Sequence, residues 1–116
     1  MSMAPREAQR LANGKFAEAR QWWTVFQMAA DRYRCWGLIW FARKRRWARY
    51  LRRGERGWLS LETVATLQSA TEEAHDQMLI AVDEMYNAAR CASASEIAAR
   101  IYYEEIEGRE SEKPMV

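Results

Sequence analysis

Large apolar side chains recur at spacings of three and four residues over a long stretch of this 116-residue chain. That period follows the 3.6-residue turn of an α-helix and differs from the two-residue period of a strand. One position of the pattern is polar, at Arg43. The pattern predicts a long helix over about residues 15–53 that carries an aromatic stripe on one face, formed by Trp22, Phe26, Ala29, Tyr33, Trp36, Trp40, Trp47 and Tyr50.

A second periodic stretch predicts another long helix over about residues 61–91. Ser60 is a suitable N-cap, and Glu62 stands in the first turn, where a carboxylate interacts favourably with the helix dipole. The side chains of this second stripe are mostly small: Val64, Leu67, Thr71, Ala74, Met78, Ala81, Met85 and Ala88. Large side chains pack best against small ones, so we expect the two stripes to face each other.

The short connection between the two periodic stretches predicts antiparallel neighbours. The expected fold is therefore all-α, with a long antiparallel α-hairpin. A short N-terminal helix is expected before it, beginning at Pro5 and ending at Asn13-Gly14, because proline suits the first helical turn and both Asn and Gly tolerate the left-handed conformation of a helix end.

A third helix is expected over about residues 94–107. Ser93-x-x-Glu96 has the form of a capping box that would open it, and Gly108 would close it. Its apolar residues Ile97, Ala98, Ile101 and Ile106 are expected to be buried. Residues 1–108 are thus predicted to form one helical domain. The polar segment 109–116 is predicted to be a disordered tail.

Cysteine content and hydropathy argue against several classes of protein. Two cysteines, Cys35 and Cys91, form neither a disulfide framework nor a zinc-binding spacing, so a reduced, cytoplasmic protein is expected. The longest apolar run, residues 35–42, is far shorter than the roughly 20 residues that cross a bilayer. The Trp and Arg pattern of residues 36–53 would also fit a membrane surface, but the apolar stripe continues in both directions at core spacing, so we predict no membrane partner.

Few residues suggest catalysis. Glu72-x-x-His75 has the spacing of a carboxylate–histidine metal pair, but His75 is the only histidine and no second pair exists on the facing helix. His75 and Cys91 are 16 residues apart, roughly 24 Å along one helix, so they cannot form a nucleophile and base within a chain. We predict a non-enzymatic protein without catalytic residues, metal or cofactor.

Charge is distributed very unevenly along the chain. Residues 1–58 carry 14 Lys and Arg against 4 Asp and Glu, whereas residues 59–116 carry 4 against 12. Eight cations fall within 14 residues, and seven of them are arginine, whose planar fork suits bidentate contact with phosphate or carboxylate. We expect an anionic partner against this basic cluster, which consists of Arg43, Lys44, Arg45, Arg46, Arg49, Arg52, Arg53 and Arg56.

Several anionic partners fit the basic cluster. Nucleic-acid phosphate fits the arginine density, and it predicts an accessory subunit of a nucleoprotein complex that grips the backbone without reading sequence. An acidic protein surface fits too, and it predicts an interaction module such as a phage-type inhibitor or adaptor. This chain's own second half offers such an acidic surface as well, either within one chain or in a homo-oligomer, through residues 104–107 or 72–76.

Overall fold

The computed structural model describes residues 4–54 and 60–112 of the chain. Two α-helices account for all of them except Ala4 and Ser60: α1 is Pro5–Gly54 and α2 is Leu61–Glu112. No strand occurs in these two ranges. The predictions of an all-α chain and of two long antiparallel helices are confirmed, but both helices are longer than expected.

The prediction of a separate N-terminal helix is wrong. Helix α1 begins at Pro5 as expected, with a 3.0 Å hydrogen bond from the Ala8 backbone N–H to the Ala4 carbonyl, but it continues through Asn13-Gly14. A glycine inside a helix costs only about 1 kcal/mol relative to alanine. Buried Ala12 and Ala19 on either side of Gly14 hold the helix against its neighbour and offset that cost.

The prediction of a separate third helix is also wrong. Helix α2 passes through Ser93 and Gly108 without interruption, and residues 113–116 of the predicted tail lie outside the described range. Glu96 does not act in a capping box, because its Oε1 accepts a 2.8 Å hydrogen bond from the indole N–H of Trp23. Ile97 and Ile101, which were expected to be buried, are each 58% exposed.

The ends of the helices that flank residues 55–59 follow the sequence signals. Helix α1 ends at Gly54, and Ser60 is the N-cap of α2, since its Oγ accepts a 3.3 Å hydrogen bond from the Thr63 backbone N–H. The Ser60 N–H in turn donates to Tyr50 Oη at 3.0 Å. A side chain of α1 thus holds the first residue of the α2 cap.

The described residues group into two compact units, and both helices contribute to each of them. The hairpin unit comprises residues 27–85. Its two helical segments run antiparallel, because the contacts from Arg32 to Glu84 and from Arg43 to Ala70 progress in opposite directions along α1 and α2. The seam between them contains buried small side chains: Ala29, Ala30, Thr71, Ala74 and Ala81.

The terminal unit comprises residues 1–26 and 86–116. Its helical segments are also antiparallel, with Phe16 against Tyr103 at a ring-centroid distance of 5.7 Å and Trp23 against Glu96. Its buried residues are again small: Ala8, Ala12, Ala19, Ala88, Ala92, Ser95 and Ala99. In neither unit is a large described side chain fully buried, so alanines, and not the aromatic stripe, form the closest contact between the helices.

Substituting alanine for the mid-helix glycines is expected to stabilise the protein. A Cβ added at Gly14 meets nothing within 4 Å, and one added at Gly37 lies 3.8 Å from Met78 Cε, an ordinary van der Waals distance. Gly14→Ala and Gly37→Ala should each raise the free energy of unfolding by about 0.5–1 kcal/mol in urea titrations. Gly108→Ala, in the last turns of α2, serves as the control with a smaller gain. A loss of stability at Gly14 would show that the helix needs a hinge there.

Candidate anion-binding face

The structure divides the predicted basic cluster into three parts. Five of its arginines are exposed on one side of α1 near its carboxyl end, and we call this set the arginine face: Arg45, Arg46, Arg49, Arg52 and Arg53. Arg43 and Lys44 contact aromatic rings of the hairpin unit instead. Arg56 lies outside the described residues.

Arg43 takes part in holding the two helices together. Its Nη1 donates a 2.8 Å hydrogen bond to the Ala70 carbonyl and lies 3.4 Å from Glu73 Oε2. Its guanidinium carbon lies 5.9 Å from the centroid of the Trp36 ring. Arg43 occupies the polar position of the aromatic stripe, and its side chain is directed into the helix–helix contact. It is therefore less available to an external anion than its neighbours.

The five arginines of the arginine face have no such partner. Within residues 4–54 and 60–112, none of them forms a hydrogen bond or an ion pair. Among the carboxylates of α2, Glu73 contacts Arg43 and Glu72 accepts a 3.1 Å hydrogen bond from Gln68 Nε2, and no described ion pair joins an α2 carboxylate to the arginine face. The described part of the hairpin unit therefore leaves these cations without neutralising carboxylates.

Helical spacing places the arginines on two flanks of α1. Arg45, Arg49 and Arg52 follow one flank at intervals of four and three residues, and Arg46, Arg49 and Arg53 follow the other at intervals of three and four. Arg49 belongs to both series. Each flank carries three cations within about two helical turns, where like charges repel one another.

A cleft lies along each flank. The outer cleft has a volume of about 350 Å³ and is lined by Arg45, Ala48, Arg49 and Arg52. The inter-helix cleft has a volume of about 390 Å³ and is lined by residues of both helices: Arg46, Arg49, Tyr50, Arg53, Thr63 and Leu67. Arg49 lines both. Each cleft thus offers three guanidinium groups to one ligand, and a guanidinium can form two parallel hydrogen bonds with a phosphate or a carboxylate.

Sequence reasoning missed three residues of the inter-helix cleft. Tyr50 was expected as part of the aromatic stripe and as a residue that could stack on bases, and not as the residue whose hydroxyl accepts from the Ser60 N–H at the edge of this cleft. Thr63 and Leu67 carry no signal for anion binding. Their place follows from the short connection between the helices, which brings the start of α2 beside the end of α1.

The other sequence candidates are separated or engaged in packing. The His75 ring lies against Trp40, with the ring centroids 6.3 Å apart, and no group of three or more metal-ligating side chains occurs among the described residues. Cys35 belongs to the hairpin unit and Cys91 to the terminal unit. The absence of a metal and of catalytic residues stays a prediction.

The comparisons with known proteins add no assignment. No family model, no curated protein and no solved structure matched the chain. Within the described residues, neither helix has an apolar segment long enough to cross a membrane. The functional argument therefore depends on the surface chemistry of the hairpin unit.

Proposed function

We propose that this protein binds the phosphate backbone of nucleic acids through the arginine face, without sequence specificity, as an accessory subunit of a nucleoprotein complex. The observation that carries the proposal is the set of five exposed arginines that line two adjoining clefts and have no described carboxylate partner. Such a set accepts several phosphates at once.

The spacing of the cations suits a phosphate chain. Arg45 and Arg52 are seven residues apart, about 10 Å along the helix axis. One strand of a duplex advances about 3.4 Å per phosphate, so this length corresponds to roughly three phosphate-to-phosphate steps. Bound phosphates also relieve the mutual repulsion of the arginines, a stabilisation that a neutral ligand does not provide.

The chemistry of the face favours contact with the backbone over reading of the bases. All five cations are arginines, whose hydrogen bonds to phosphate oxygens fix position and orientation but carry no sequence information. Asn and Gln, the residues that pair with adenine in the major groove, are absent from residues 43–56. Arginine can also pair with guanine in the major groove, so similar affinity for unrelated sequences is the result that distinguishes backbone contact from base reading.

The proposal is tested by the salt dependence of binding. The wild-type chain is titrated with two unrelated DNA duplexes between 50 and 200 mM salt, and the dissociation constant is measured by fluorescence anisotropy. Three to five phosphate contacts predict a slope of log K against log[salt] of about −2.7 to −4.5, which is an affinity loss of about 40- to 500-fold over this range. Equal affinity for both sequences supports the proposal. The absence of binding at 50 mM, or a slope near zero, contradicts it.

A second function is favoured by a separate observation. The hairpin unit exposes large apolar side chains, among them Leu38 at 74%, Phe41 at 59% and Leu79 at 52%. A phosphate backbone alone does not cover such groups, whereas an acidic protein surface with apolar residues at its centre does. The alternative is thus an interaction module of the inhibitor or adaptor type. It is favoured if no nucleic acid binds and a protein partner recovered by pull-down depends on Arg49.

A further inference from the structure

An apolar pocket adjoins the outer cleft on α1. It has a volume of about 270 Å³ and is lined by Trp40, Phe41, Lys44, Arg45 and Ala48. The lining is almost entirely apolar, because Lys44 and Arg45 contribute the aliphatic parts of their side chains. We call it the aromatic pocket. It lies wholly within the hairpin unit, on the surface of a single helix.

The two aromatic rings of this pocket differ in their availability. Trp40 is half-buried, and its ring lies 4.6 Å from Lys44 Nζ and packs against His75. Phe41 meets Trp40 edge-on, with the ring centroids 5.8 Å apart and an interplanar angle of 86°. Phe41 is nevertheless 59% exposed. It is therefore the ring that can accept a flat ligand group from outside.

The aromatic pocket and the outer cleft share two residues. Arg45 and Ala48 line both, and the next residues of the cleft, Arg49 and Arg52, lie one and two helical turns farther along the same flank. A ligand that spans both sites must carry a flat apolar group close to a row of negative charges. A nucleotide strand with one base turned outward has this chemistry, since its bases have π-faces and its backbone carries a phosphate at every step.

We propose that the aromatic pocket binds an unstacked base of a single-stranded nucleic acid whose phosphates lie in the outer cleft. This inference rests on the proposed backbone binding and adds to it a preference for single strands. In a duplex the bases are stacked and paired, so no base is free to reach Phe41. Single strands offer their bases to exposed aromatic side chains at little cost.

The test compares three probes: a 20-nucleotide oligothymidine, the same backbone with abasic sites, and a 20-base-pair duplex. The wild-type chain should bind oligothymidine more tightly than the abasic strand. Phe41→Ala should weaken binding of oligothymidine by about 5- to 150-fold and abolish its advantage over the abasic strand. Binding of the duplex should change less than about twofold. Phe41→Trp should restore the preference for oligothymidine.

Leu38→Ala is the matched control, because Leu38 is a still more exposed apolar residue of the same helix segment and does not line the pocket. It should leave all three affinities unchanged. Equal binding of oligothymidine and the abasic strand, together with an unchanged duplex affinity in Phe41→Ala, overturns the base pocket and leaves backbone binding intact. Equal losses in Phe41→Ala and Leu38→Ala also overturn it, since they indicate unspecific apolar contact. Failure of all three probes to bind overturns both proposals together.

Discussion

Simultaneous reversal of Arg45, Arg49 and Arg52 to glutamate is expected to lower nucleic-acid affinity by more than about 100-fold while leaving the helices intact. Each lost phosphate contact removes about 0.7–0.9 from the slope of log K against log[salt], so three losses should flatten the slope by about 2–2.7. The fold should persist, because these arginines contact no described carboxylate and a glutamate at position 49 comes within helical pairing distance of the remaining Arg46 and Arg53. Fluorescence anisotropy and thermal unfolding followed by circular dichroism measure the two effects.

The control for this variant is a second triple reversal with the same change in net charge. Arg10, Arg90 and Arg100 are exposed residues of the terminal unit, outside the arginine face. Their replacement by glutamate should lower the affinity for nucleic acid by only a few fold, because the lower net charge of the protein weakens its long-range electrostatic attraction to phosphates. Equal losses in the two variants would show that net charge, and not the arginine face, determines binding. Unfolding or dissociation of the first variant would show that its arginines pair with carboxylates of this chain or of a second copy.

Replacement of Ala74 by leucine is expected to have the largest effect on stability. Ala74 is fully buried in the alanine seam, which is the contact between the two helical segments of the hairpin unit that contains Ala29, Ala30, Thr71, Ala74 and Ala81. The small side chains there allow the two helices to approach closely. A leucine requires space that only separation of the helices or strained rotamers provide. We expect a loss of about 1–3 kcal/mol in the free energy of unfolding, measured by urea titration.

Ala65→Leu is the matched control for that substitution. Ala65 lies on α2 in the same unit but is exposed, so a leucine there displaces nothing. Alanine and leucine have nearly equal helix propensities, and the control should therefore change stability by less than about 0.5 kcal/mol. Similar stability of both variants would mean that the seam has room for larger side chains, and that the closeness of the helices does not depend on alanine.

Apolar periodicity and one cap were enough to predict the two long antiparallel helices. The glycine at position 14 and the capping-box sequence Ser93-x-x-Glu96 led to wrong predictions of helix ends, because each signal reflects only the residues next to it in the sequence. A glycine or a capping-box sequence marks a helix end only when nothing outside the segment favours continuation. Here buried alanines on both sides of Gly14 favour it, and Glu96 receives the Trp23 indole N–H in place of a backbone N–H.

The burial of Ile97 and Ile101 was predicted wrongly for a different reason. Periodicity shows which residues share a face, but it does not show how many neighbouring helices cover that face. In the described residues of the terminal unit, α2 has one neighbour, and its small residues Ala92, Ser95 and Ala99 occupy the contact. The isoleucines on the remaining surface are left exposed.

For the candidate site, the sequence shows which residue types cluster but not which of them are already engaged. Arg43 belongs to the same run of cations as Arg45, yet only its pairing with Ala70 and Glu73 removes it from the exposed set. That distinction needs the position of α2 against α1. The same is true of Thr63 and Leu67, which enter the inter-helix cleft only because α2 starts beside the end of α1.

The alanine seam makes the alignment of the two helices depend on polar contacts. Ala74 and Ala81 are seven residues apart, so a slip of α2 by one heptad would replace one buried alanine by another at that point of the seam, while it would bring Met78 to the position of Thr71. The same slip would bring Ile80 opposite Arg43 in place of Glu73 and would leave the guanidinium without its carboxylate. Polar side chains at such positions fix helix register in coiled coils. The ion pair of Arg43 therefore favours the observed register over this slip, in addition to the small side chain of Thr71 in the seam.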